Sequence, residues 1–343
     1  MESDHIPFSN LPKGFPDLPV FIQNFSDFYM VRDDKLPFGF GTKWRKTSGI
    51  LRETMQNGAK EILLWGAAHG NYLASFAYIF RTFGFFVETI TYSKDPKLKT
   101  YNERLVTHHS HRMHCYANRN LAFEAFKERK LRFGGLVLPE FGIHPGQIPG
   151  LVVLWKELEK KIHTKLSDTF HTEPKAGAKA ILLLEIGSGV SFVSAYDYFY
   201  NSPILVQGVM VGESKDSWYT KHENLQLELG LKKRKIPIEN LIEILDENSQ
   251  LEKRKELIEN KKNVTQKKTR FARGQHHHDD LLRTFYEKNN ILLEPIYSAN
   301  SIHYLLKKQN ENIEGVPKFP VFYLHQGGQI QHLNSVFPKP FSI

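Results

Sequence analysis

Residues 61–91, EILLWGAAHGNYLASFAYIFRTFGFFVETIT, decide the fold class. Residues 61–66 are a short apolar run closed by glycine, 71–83 carry apolar side chains at helix-compatible spacing, and 86–91 are a second apolar run. A strand covered on both faces reads as an unbroken apolar run, whereas a half-exposed strand alternates. Strand, helix and strand in this order predict a parallel sheet. Residues 136–139, 180–185, 204–209 and 321–324 repeat the form. The fold class is therefore α/β, with open, mostly parallel sheets flanked by helices. Residues 92–118, 139–150 and 168–179 read as polar or Pro/Gly-rich connections.

The chain has 343 residues, an apolar fraction of 41% and a formal charge of +9. That length predicts about two domains with room for real cores, and the composition excludes a wholly disordered chain. The single cysteine, Cys115, permits no intrachain disulfide. No run approaches the length of a membrane span, and the start MESDHIPFSN has neither the basic nor the apolar part of a secretory signal. A cytoplasmic protein without a membrane partner is the expectation. Much of the basic excess lies in an insertion at about 213–268, where Lys and Arg are mixed with Glu and Asp. A solvated helical hairpin is the simplest reading of such a segment. Nucleic acid is not an expected partner, because the charge forms no clean stripe and no recognition module is present.

Four segments can carry chemistry. FGFGTKWRK (38–46) delivers basic side chains from a glycine-rich turn to a helix start, where an amine can attack a carbonyl or neighbouring groups can hold an anion. Taken alone, such a run also describes an ordinary basic surface. WGAAHGNY (65–72) lies between a strand end and a helix, where open α/β sheets bind ligands; Asn71 reads equally well as a helix cap. EIGSGVS (185–191) offers successive backbone N–H groups to an anion, or is merely a tight turn, and it lacks the lysine of a triphosphate loop. LLEPIYSAN (292–300) brings an aromatic ring and a hydroxyl into a helix, where plain packing is the alternative. His108, His109, His111 and His114 complete no metal-binding pattern, so no metal is expected; His276, His277 and His278 read as exposed.

Taken together and in order, these segments resemble the pyridoxal-phosphate-dependent 1-aminocyclopropane-1-carboxylate deaminase and D-cysteine desulfhydrase family, of tryptophan synthase β-like fold (fold type II). Val31-Arg32-Asp33-Asp34 with FGFGTKWRK resembles K-R-D-D … G-G-N-K-x-R-K, and WGAAHGNYLAS resembles G-G-x-Q-S-N-H-x-R-Q. LPEFGIHPGQIPG resembles P-E-G-G-S-N-x-x-G-x-x-G, and EIGSGVS resembles G-S-G-G-T. LLEPIYSANSIHYLL is similar to L-D-P-V-Y-x-G-K-A-x-x-G-L, and YLHQGG to H-T-G-G. The likeness covers roughly residues 25–212 and 269–330.

The resemblance implies that Lys43 holds pyridoxal 5'-phosphate and moves a proton at the substrate Cα, with Lys46 near the phosphate. It implies that Asn71 bonds the ring hydroxyl, and that Gly187, Ser188, Gly189 and Ser191 cradle the phosphate. Tyr297 would stack on the ring and act in catalysis, with Ser298 near the ring nitrogen. His69, Gly70, Phe271 and Gln326 would line the substrate. A larger cofactor-binding domain (1–47 and 160–343) and a smaller one (48–159) would enclose the site, and a homodimer is implied. The departures are Gly70 for a serine, Phe271 for a tyrosine, Gln326 for a threonine and Asn300 for a lysine. The expected function is a lyase or deaminase acting on a small amino acid. The alternative is a catalytically impaired member that binds the cofactor or a small anion and acts through partners.

Overall fold

The structure, a computed structural model, describes residues 11–93, 100–169, 180–211, 213–244, 279–310 and 319–333. β1 (Ile22–Asn24) and β2 (Tyr29–Arg32) form an antiparallel hairpin. α1 (Thr42–Gln56), β3 (Glu61–Ala67), α2 (Asn71–Thr82), β4 (Phe86–Tyr92), α3 (Tyr101–His109), β5 (Arg112–Tyr116), α4 (Arg119–Lys130) and β6 (Leu136–Leu138) follow. Then come α5 (Gln147–Thr169), β7 (Ala180–Ile186), α6 (Val190–Tyr198), β8 (Ile204–Met210), two short helices, and β9 (Leu241–Glu243). The helices Asp279–Asn289 and Tyr297–Asn310 precede β10 (Val321–His325).

The strands form two sheets, β1-β2-β10-β7-β8-β9 and β5-β4-β3-β6. Every pairing is parallel except that of β1 with β2. The two-sided covering behind the unbroken apolar runs is visible residue by residue. Leu182, Leu184 and Ile186 of β7 face a core with Trp155 of α5 and Phe192 of α6. Leu183, one step along, faces the opposite core with Met30, Ile302 and Tyr323. In the smaller sheet Ile62 and Leu64 pack with Phe76 and Phe80 of α2, while Leu63 and Trp65 pack with Phe126 of α4.

The chain passes from the larger sheet to the smaller through α1 and returns through α5, so the expected divisions at 47/48 and 159/160 fall within these helices. α1 and α5 touch backbone to backbone: a Cβ at Gly49 would strike the Gly146 carbonyl, and one at Gly150 the Arg45 carbonyl. This contact fixes the helix that carries Lys43.

Two connections differ from expectation. Residues 92–118 contain α3, capped by the Thr100 hydroxyl, and β5, an edge strand whose mostly exposed side chains hide it from a search for apolar runs. The Pro/Gly segment ends at 146, because Pro149 sits in the first turn of α5, where a missing N–H costs nothing.

The charged segment is also corrected over 213–244. It is no free hairpin: Trp218 and Leu225 are buried in the core beside α6, and β9 extends the larger sheet. Its remainder, like Phe271 and His276–His278, lies outside the described residues.

Candidate active site

β3, β7 and β10 present their carboxyl ends to one cavity of about 730 Å³, the place where open parallel sheets bind ligands. Lys43 reaches it from the first turn of α1. The start of that helix is dictated by glycine. Gly41 has φ +59°, and a Cβ there would strike the Gln326 carbonyl, which instead accepts the Thr42 N–H at 3.2 Å. Gly327 mirrors it, with φ +85° and a would-be Cβ 2.5 Å from the Gly39 carbonyl. The segments 38–43 and 325–328 therefore lie back to back, which is why both need glycine.

The loop after β7 forms another wall. Gly189 caps α6 in the left-handed region, at φ +83°, with no side-chain cap on the helix. A Cβ there would come within 2.8 Å of Trp218 Nε1. The Ser191 hydroxyl is buried in the helix's first turn and has no hydrogen-bond partner. A bare helix start with a buried, unsatisfied hydroxyl suits an anion. Tyr297 lies over this loop, with Cε1 3.0 Å from a Cβ built on Gly187. Burial and the nearby Glu294 and Glu185 push its phenol up to about 12, so at neutral pH it is a neutral ring.

Asn71 opens α2 from the third side. Its Oδ1 accepts from Asn102 Nδ2 at 2.9 Å, which leaves the amide nitrogen as the free donor. His69, exposed, and Gly70, half-buried, line the same stretch, and Asn102 also donates to the His69 carbonyl at 2.9 Å.

Two amines and two acids meet here. Burial pushes the Lys43 amine below the ordinary lysine value, and Glu294 and Glu185 pull it part of the way back. Lys46, buried and close to Lys43, falls to about 7. Glu294 accepts the N–H groups of Ile296 (3.0 Å) and Tyr297, yet burial raises its carboxyl to about 8. Glu185, buried at the end of β7, is likewise raised.

Thus Lys43, Lys46, Asn71, Gly187, Ser188, Gly189, Ser191, Tyr297, His69, Gly70 and Gln326 share the cavity. Ser298 does not line it: it is buried, its hydroxyl 3.1 Å from His325 Nδ1. Sequence reasoning did not single out Glu185, Glu294 or Trp218. The signal for Glu185 was available, as a carboxylate near the end of an otherwise apolar strand. Among the described residues no group of three or more His, Cys, Asp or Glu side chains is placed to hold a metal, and no helix is long and apolar enough to cross a membrane.

Phe141, also on the cavity wall, is half-exposed with φ +64°. The conflict costs a non-glycine residue about 1–2 kcal/mol, more than the roughly 0.5–1 kcal/mol of chain entropy that glycine would add. Phe141→Gly is therefore expected to stabilise the fold by about 0.5–1 kcal/mol, read as a higher denaturation midpoint. A lower midpoint would show that the ring's contacts outweigh the strain.

No protein-family model matches the chain, and no curated protein matches its sequence. Solved structures do. An ACC deaminase homologue is 18% identical over 94% of this chain and 93% of its own, with a TM-score of 0.65. A fungal L-serine ammonia-lyase from Rhizomucor miehei is 14% identical over 94% and 98%, at 0.58. A hydrogen sulfide-producing enzyme from Fusobacterium nucleatum is 12% identical over 95% and 96%, at 0.56. The chain has the tryptophan synthase β-like fold, the one its motifs led us to expect.

Proposed function

We propose that the protein is a pyridoxal-phosphate-dependent lyase or deaminase acting on a small amino acid, like D-cysteine desulfhydrase or aminocyclopropane-carboxylate deaminase. The observation that carries this is the meeting, in one cavity, of an amine that burial holds below its ordinary value, a loop with an unsatisfied hydroxyl and an aromatic ring lying over that loop. The structural neighbours support it, being a deaminase homologue, an ammonia-lyase and a sulfide-producing enzyme.

The residues fit the cofactor. Ser191 and the backbone of 187–189 would hold the phosphate with Lys46 nearby, Tyr297 would face the ring, Asn71 would donate to its hydroxyl, and Lys43 would take the aldehyde. When bound, the group supplies an electron sink for charge developing at the substrate Cα. The protein's own part is to orient the bond to be broken and to carry protons. Lys43 is suited to that, since burial brings its amine closer to neutral working pH. The cleft between the two domains named above and a homodimer belong to this reading.

Ser191→Ala tests the phosphate assignment. Removing a hydroxyl that bonds nothing is expected to leave stability unchanged or slightly raised. It should weaken pyridoxal-phosphate binding by about tenfold, the worth of one hydrogen bond to a charged group. Unchanged affinity in a titration would move the phosphate elsewhere.

Function itself is tested by screening D- and L-amino acids, D-cysteine and aminocyclopropane carboxylate included, for release of ammonia, keto acid or sulfide. A second reading, cofactor binding without turnover, draws on Gly70, which brings no hydroxyl to the cavity, and on Gln326, whose amide is committed to Glu185. Cofactor capture with no product from any substrate would favour it.

A further inference from the structure

Glu185 is an ionisable side chain only 4% exposed on a strand that is otherwise apolar. None of the roles assigned above requires a carboxylate there: the anion loop, the ring and the amine are separate groups. Yet it is firmly held. The Tyr323 hydroxyl donates to Oε1. Gln326 Nε2 donates to Oε2 at 2.8 Å and to the Glu185 carbonyl at 2.9 Å. The Gln326 carbonyl in turn accepts the N–H of Thr42, the residue before Lys43. A threonine at 326, as in the motif this segment resembles, is too short to span both contacts. The long amide therefore ties the acid to the start of the helix that carries the amine, and both side chains open on one cavity.

We propose that Glu185, clamped by Tyr323 and Gln326, is a positioning residue that governs the proton on Lys43. The inference rests on the reading of Lys43 as the reactive amine. A lysine that takes a proton from Cα and returns it must pass between amine and ammonium. A fixed negative neighbour steadies the ammonium, while the proton itself travels only between Cα and Nζ. The other titratable groups around the pair are Lys46 on the helix of Lys43, Glu294 ahead of the helix Tyr297–Asn310, Tyr297 at its start, and Tyr323 and His325 of β10, which act on Glu185. Lys46 opposes the ammonium. Glu294 favours it, but is tied to the turn by the N–H groups of Ile296 and Tyr297. The Glu185 carboxyl is raised by burial and lowered again by its two donors and by His325, so the clamp decides how much charge it carries.

The test is the pH dependence of covalent capture of pyridoxal phosphate by the cofactor-free protein. Capture is followed by absorbance and mapped to Lys43 after borohydride reduction. Only the neutral amine reacts, so losing the carboxylate makes capture possible at lower pH. Glu185→Gln is expected to move the midpoint down by about one unit or more, the scale of one close charge. Glu185→Asp should restore part of the shift, and Gln326→Thr should move it the same way by less. Gln326→Thr also carries the test should Glu185→Gln not fold. A midpoint unmoved or raised in folded variants that still capture cofactor overturns the proposal and leaves the function standing. Wild-type protein that captures none at Lys43 overturns both.

Discussion

Replacing Lys43 by alanine is expected to cut turnover by about a thousandfold or more, the range set by losing a positioned proton carrier, and to abolish covalent attachment of pyridoxal phosphate. The rival amine makes this a sharp expectation. Lys46 lies one turn further along α1, lines the same cavity, and sits at about 7, so much of it is neutral at physiological pH. Protonation state alone does not separate the two; surroundings do. Lys43 faces Glu185 and Glu294, whereas Lys46 meets the like charge of Lys43 and gains only when an anion arrives. Lys46→Ala should therefore weaken cofactor binding while leaving attachment at Lys43 intact. Kinetics of the two variants side by side decide the matter. Lys43→Ala activity within tenfold of wild type would exchange the roles.

The largest stability effect is expected at Asp33. Arg45 is 1% exposed, and its guanidinium meets both Asp33 oxygens, at 2.6 and 2.8 Å. The Leu18 and Pro19 carbonyls accept its other N–H groups at 2.8 and 3.0 Å. Asp33 is equally buried. Asp33→Ala leaves the positive charge uncompensated inside the protein, a situation worth about 3–5 kcal/mol and a melting point lower by roughly 10 °C. Replacing both partners by apolar residues of similar volume, as in Asp33→Leu with Arg45→Met, should recover most of the loss. A loss below about 1 kcal/mol in Asp33→Ala would show that water or rearranged carbonyls take over the carboxylate's place.

The parts of the fold legible in the sequence were those whose side chains are buried on both faces. β3, β4, β7, β8 and β10 announce themselves as apolar runs because each lies between two helical layers. β5 did not, since an edge strand reading RMHCY spends its side chains on solvent. The histidines in and before it complete no metal-binding pattern in the sequence, and His111, just ahead of the strand, packs instead: it stacks on Phe86 and accepts the Val87 N–H at 3.0 Å.

The candidate site was legible where backbone geometry demands glycine, at Gly41, Gly189 and Gly327, and at the lysine that follows the first of them. It was illegible where contacts are long-range. Trp218 lies against Gly189 from a segment that reads only as charged, and Glu185 meets Gln326 across 141 positions. Ser298 shows the same limit: its neighbour Tyr297 faces the cavity, while Ser298 itself turns to His325, 27 residues away.

The most direct measurement is reductive trapping. Purified protein is given pyridoxal phosphate, reduced with borohydride and digested, and the modified peptide is sequenced by mass spectrometry. The expected result is one stoichiometric adduct on Lys43, lost in Lys43→Ala and preserved in Lys46→Ala. An adduct on Lys46, an even scatter over surface lysines, or no adduct at all would contradict the assignment of this cavity as a pyridoxal-phosphate site built around Lys43.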